Sequence, residues 1–209
     1  MADDRLKLPI GSPAFPIGGF GYSQGLEEPM ATGIIRTAAD VETWVTAILC
    51  HGSARTDAII LTHARAGADC QMLSDLILSY ASCAERETEL MEQGRAFCAL
   101  IAGITGADLP LVPYPVAVGM ATASLDLGTQ EVLALFLHGS AAQMVSAATR
   151  FLPLGQTEAQ AMLTRLAPII NAVAAEAATA PLDSIGTFAP GADMAAMRHE
   201  TLEVRIFRT

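Results

Sequence analysis

Apolar side chains recur along this chain at three- and four-residue intervals, and proline and glycine interrupt them. That is the rhythm of packed helices rather than of alternating strands. The clearest stretch is Val41, Trp44, Val45, Ile48 and Leu49, spaced as one face of an amphipathic helix. Thr37 reads as its N-cap, with Asp40 in the acidic position of a capping box. Trp44 on that stripe reads as core.

The same pattern predicts helices over 55–66, with Ile59, Ile60 and His63 near one face, and over 69–82, with Leu73, Leu76, Ile77 and Tyr80. A longer helix over 85–104 opens on acidic residues favoured by the helix dipole and closes at Gly103 and Gly106, its front half the more exposed. After the break from Pro110 to Pro115, short helical material runs to Gly128. A helix over 129–151 carries Val132, Leu133, Leu135, Phe136, Met144 and Val145. Thr157 reads as the cap of the next, which continues through Leu163, Leu166, Ile169 and Ile170 past Pro168. Pro153-Leu154-Gly155-Gln156 between these two suits an antiparallel hairpin. A short helix from 23 to about 33 is delimited by Pro29, and a loop holding Gly186, Pro190 and Gly191 precedes a final helix over 194–204. The expected architecture is all-α: one helical-bundle domain over 1–209, with an ordered Pro/Gly loop over 1–27 and a C-terminal loop, helix and tail over 181–209.

Composition sharpens this. Hydrophobic residues make up 52% of 209 but aromatics only 5%, which favours close-packed helices over a sheet. The uncharged stretch around 109–125 is broken by Pro110, Pro113, Pro115 and Gly119, and the helical stretches carry Glu131, Arg150 or Glu176. No clean membrane span of about 20 residues is therefore expected. Met1-Ala2-Asp3-Asp4-Arg5 does not read as a secretory signal, so a cytoplasmic location is expected. The surplus apolar surface then points to a protein interface. A net charge of −10 argues against nucleic acid. Cys50, Cys70, Cys83 and Cys98 lack paired C-x-x-C spacing and read as buried free thiols.

The segment from Ser12 to Glu27 combines Pro13 and Pro16 with Gly18, Gly19, Gly21 and Gly25, and interleaves Phe15, Phe20 and Tyr22. It reads as an ordered non-helical loop that brings aromatics to a packed or partner-facing surface. Within it, Gly21-Tyr22-Ser23-Gln24-Gly25 spells the G-x-S-x-G of a nucleophile elbow, and Asp183 or Asp193 and then His199 follow in hydrolase order. That motif needs a strand turning into a helix, and Pro16-Ile17-Gly18-Gly19-Phe20 is too broken for one. A small serine hydrolase using Ser23 is the alternative reading. The favoured one has Ser23 capping the following helix or binding loop backbone.

Nucleotide hydrolysis is excluded more firmly, because Lys7 is the only lysine and no phosphate-binding G-x-x-x-x-G-K-[ST] loop surrounds it. His51, His63, His138 and His199 lack the clustering of a visible metal site, so no metal ligand and no cofactor is assigned.

The order Pro16-x-Gly18-x-Phe20-x-x-Ser23-x-Gly25-Leu26-Glu27 resembles the signature of urease accessory protein F, the UreF family. Two later segments agree: Arg150-Phe151-Leu152-Pro153-Leu154-Gly155-Gln156-Thr157 with Gln160, and His199-Glu200 followed by Arg205-Ile206-Phe207-Arg208-Thr209. Ile206 stands where the family usually has Leu, and Thr209 where it has Ser. The resemblance implies a non-enzymatic maturation factor for the nickel centre of urease, with a direct nickel carrier as a further alternative. Its implied partners are the accessory protein called D or H, the accessory GTPase G, apo-urease and a second copy of itself. It also implies partner-binding roles for Pro16, Gly18, Phe20, Tyr22, Ser23, Gly25, Glu27, Gly155, Gln156, His199, Glu200, Arg205, Ile206 and Phe207. In that reading Ile206 and Phe207 bury against a partner, Arg205 or Arg208 pairs with acid, and His199 with Glu200 orders the tail.

Overall fold

A computed structural model describes residues 17–209. Lys7, Pro13, Phe15 and Pro16 lie outside the described residues. The described chain is helical, without strands: α1 (Glu27–Ala31), α2 (Ala38–His51), α3 (Ser53–Arg65), α4 (Cys70–Ser79), α5 (Ala84–Thr105), α6 (Tyr114–Thr122), α7 (Thr129–Phe151), α8 (Gln156–Ala177) and α9 (Pro190–His199). One hydrophobic core runs through it, from Leu26 just before α1 to Ala177 of α8.

Local chemistry accounts for most boundaries. Thr37 accepts from the Asp40 amide at 3.2 Å while the Asp40 carboxylate accepts from the Thr37 amide at 2.9 Å, the reciprocal box read from the sequence. Asp69 caps α4 through the Gln71 and Met72 amides. Trp44 packs, partly buried, against the core. Pro168 is tolerated inside α8.

Other boundaries correct the expectation. α8 starts at Gln156 with Gly155 at the N-cap, so Thr157 is inside the helix. α9 starts at Pro190, not Met194, because a proline at the first helical position gives up an amide that would be unpaired anyway. The helix expected from residue 23 shrinks to α1, since Gln24 (φ 53) and Gly25 (φ 77) are left-handed. Of the four cysteines, all free, only Cys98 is buried.

α7 and α8 pack together across 152–155, and α2 and α3 pack against that pair. α6 lies against α3 so closely that a Cβ on Gly119 would come within 2.7 Å of the Leu61 carbonyl and 3.0 Å of the Arg65 amide, so only glycine fits there. The Arg65 guanidinium reaches back to the Thr122, Leu125 and Leu127 carbonyls and satisfies the end of α6.

The front half of α5 reverses an expectation. Arg86, Glu89 and Gln93 are buried, not exposed, because they share one face and are paired there. Arg86 bonds Asp57 of α3 at 2.5 Å and Glu89 at 2.8 Å, and Gln93 donates to Glu89 at 3.0 Å. Gln143 of α7 donates to Glu89 at 3.1 Å and to the Tyr22 carbonyl at 3.4 Å, tying the network to the N-terminal loop.

Among the described helices, α7 comes nearest to a membrane span. By length and composition it could cross a membrane, its most apolar window having mean hydropathy 1.3, because Glu131 and Arg150 sit at its two ends. It is built into the bundle, yet only 44% of that window is buried there.

Candidate functional site

The loop, the end of α7 and the tail, far apart in sequence, meet on one face. Gly18 (φ 75) opens a 3-10 turn over Gly19–Gly21. Arg150, in the last turn of α7, donates to the Phe20 carbonyl at 2.7 Å and sets its guanidinium 4.6 Å from the centre of the Phe207 ring. One arginine therefore holds loop and tail together. Phe20 itself stays 55% exposed.

Gly25 locks the loop against α9. Its φ of 77 disfavours a side chain, and a Cβ there would lie 2.8 Å from the Ala196 amide nitrogen. Ser23 is fully buried: its hydroxyl accepts from the Glu27 amide at 3.1 Å and donates to the Thr209 carbonyl. Its amide donates to the same carbonyl at 2.7 Å. These bonds fulfil the capping and backbone role read from the sequence, and they bury the hydroxyl that a hydrolase would have to expose.

Glu27, also buried, is the hub of the tail. It accepts from the Ile206 amide at 2.7 Å, from the Phe207 amide at 2.9 Å, and faces His199 Nε2 at 3.0 Å. The other ring nitrogen of His199, Nδ1, faces Glu85 at 2.6 Å, and Arg205 bonds the second oxygen of Glu85 at 2.5 Å. Glu200 accepts from the Glu85 amide at 3.2 Å and so caps the start of α5. The His199-Glu200 pair thus anchors the chain where α9 turns into the tail.

Phe207 is buried within this chain's own fold, whereas Ile206 is 62% exposed. The tail's arginines are paired in the same chain, Arg205 with Glu85 and Arg208 with Glu92 at 2.6 Å. Gly155 is exposed at the N-cap of α8. Gln156 and Gln160 join Gly19, Phe20, Leu135 and Phe136 around a cavity of about 340 Å³ beside the loop. Glu85, Glu92 and Gln143 carry no signal of their own in the sequence, and the front of α5, with Arg86, Glu89 and Gln93 spaced along one helical face, reads there as exposed.

Tyr22 is buried, and its hydroxyl donates to Glu92, which also holds Arg208. Burial first, then that hydrogen bond, pushes the Tyr22 phenol up to about 12. The neutral phenol therefore contributes stability in full below its unfolded value of about 10, and this is lost as pH climbs through about 12. Tyr22→Phe is expected to remove a phenolate step near pH 12 from an ultraviolet absorbance titration; an unchanged high-pH end would contradict the placement of Tyr22.

A sequence model of the UreF family matches residues 35–167, a stretch that starts after the loop and stops before the tail. Matches to individual proteins extend further. The chain is 56% identical over 198 residues to the urease accessory protein UreF of Cereibacter sphaeroides, covering 95% of this chain and 94% of that one. The corresponding protein of Paracoccus denitrificans is 47% identical over 199 residues (95% and 92% covered), and that of Dinoroseobacter shibae 42% over 198 (95% and 94%).

Proposed function

The chain belongs to the UreF family of urease accessory proteins, and from that membership we propose that it is a non-catalytic scaffold in assembly of the urease nickel centre. It joins the D/H accessory protein to the accessory GTPase, so that GTP hydrolysis in the partner is coupled to nickel delivery into apo-urease in the cytoplasm. The observation that carries this reading is the meeting of the three family-like segments on one ordered face held by Arg150, Glu27 and His199.

Exposed side chains on and around that face supply the docking contacts. Phe20 and Ile206 project from loop and tail, and Met194 and Met197 from α9. Buried members of the set, Tyr22, Ser23, Gly25, Glu27, His199 and Phe207, act by holding the face in shape. A second apolar surface suits a second copy of the chain. α7 leaves more than half of its most apolar window uncovered, and Leu135 and Phe136 are only partly buried there.

The double variant Phe20→Ala, Ile206→Ala touches only exposed side chains. In urease-producing cells that lack their own UreF, it is expected to lower urease activation at least about fivefold while leaving the protein's melting temperature unchanged. Full activation by the double variant would overturn the assignment of this face.

A further inference from the structure

The tail lies on the rest of the chain as a bound peptide lies on a receptor. Over 205–209, with bends at Ile206 and Phe207, the Phe207 and Thr209 side chains are buried in the fold and Arg205 reaches Glu85, while Ile206 is 62% exposed. Main-chain groups make much of the contact. The Ile206 and Phe207 amides donate to Glu27, the Arg208 amide to the Gly21 carbonyl at 2.7 Å, and the Ser23 amide to the Thr209 carbonyl at 2.7 Å. Capture of main-chain groups, with a pocket for a particular side chain, is a recurring way for a fold to recognise a peptide. Side chains add specificity: Phe207 is buried under Arg150, Arg205 meets Glu85 and Arg208 meets Glu92.

We propose that the groove formed by residues 21–27, Glu85, Glu92 and Arg150 is a peptide-binding site occupied in cis by residues 203–209. It accepts, in trans, a segment with arginine, phenylalanine and a hydroxyl residue at alternate positions that bends as residues 205–209 do. Position 206 is read only through its amide, position 207 through its side chain. The inference stands on the contacts of the tail and does not depend on the partners proposed above.

The test starts from the full chain, folded, with a protease site inserted between Thr201 and Leu202 in the turn that follows α9. After cleavage and removal of the tail, a fluorescent synthetic peptide of residues 203–209 is titrated in and its anisotropy followed. Saturable binding is expected, reversed by excess unlabelled peptide. A Phe207→Ala peptide is expected to bind at least about tenfold more weakly, and an Ile206→Ala peptide within about threefold of the original. No saturable binding by a cleaved protein that keeps its helical circular dichroism would overturn the proposal. So would equal binding of the Phe207→Ala peptide. Loss of the helical signal on cleavage would overturn it too, by making the tail part of the core rather than a ligand.

Discussion

Arg86→Met is expected to cost about 3–5 kcal/mol of folding stability and to lower the melting temperature by roughly 6–20 °C. The guanidinium is the cation between two carboxylates that have almost no access to water, Asp57 and Glu89, whose side chains are 11% and 0% exposed. Removing one partner of a buried ionic group leaves the others desolvated and unpaired, which costs far more than the pair itself contributes.

The variant's pH dependence follows from Asp57. Burial pushes its carboxyl above the ordinary value, against the pull of Arg86. A carboxyl raised in this way contributes stability below its unfolded value of about 3.9 and loses it as pH rises through the folded value. Without Arg86 the ionised form is penalised further, so the deficit should be larger at pH 7 than near pH 4. Adding Asp57→Leu and Glu89→Gln to the variant should recover most of the loss, because no buried charge then remains. Denaturant melts at the two pH values check this. An Arg86→Met protein as stable as its parent would mean that the network is not buried as described.

Glu27→Ala is expected to act differently, by freeing the tail rather than unfolding the bundle. The substitution leaves the Phe207 amide without its acceptor inside the fold and takes one of two carboxylates from the buried His199, each loss worth about 1–3 kcal/mol. The tail can relieve both by leaving, so the global cost saturates at whatever docking the tail contributes. Hydrogen exchange at Phe207 and proteolysis beyond His199 should rise by roughly two orders of magnitude, with a smaller change in melting temperature. Unaltered exchange at Phe207 would remove Glu27 from the centre of the tail's anchorage.

What could be read in the sequence was what local chemistry decides. The capping box of Thr37 and Asp40, the stripe from Val41 to Leu49, and the extent of α7 all follow from side chains within a few residues of one another. The front of α5 misleads by composition, since Glu85-Arg86-Glu87-Thr88-Glu89 reads as solvated surface. What makes burial possible is Asp57, on another helix, which no local pattern brings into view. The site divides in the same way. Ser23 was legible as a cap because its acceptor role lies four residues away, at the Glu27 amide. The burial of Phe207 in its own chain was not, because the pocket is built from residues more than fifty positions upstream, Arg150 among them. Resemblance located the three segments, but only the fold brings them to one face.

The central claim is that this chain joins two partners that do not assemble without it. It is tested most directly by size-exclusion chromatography with light scattering, on the chain with the D/H accessory protein, and on that pair with the accessory GTPase and GTP. The expected result is a stable complex with D/H that takes up the GTPase only when this chain is present. Separate elution of the three proteins, or a D/H–GTPase complex that forms equally well without this chain, would contradict it.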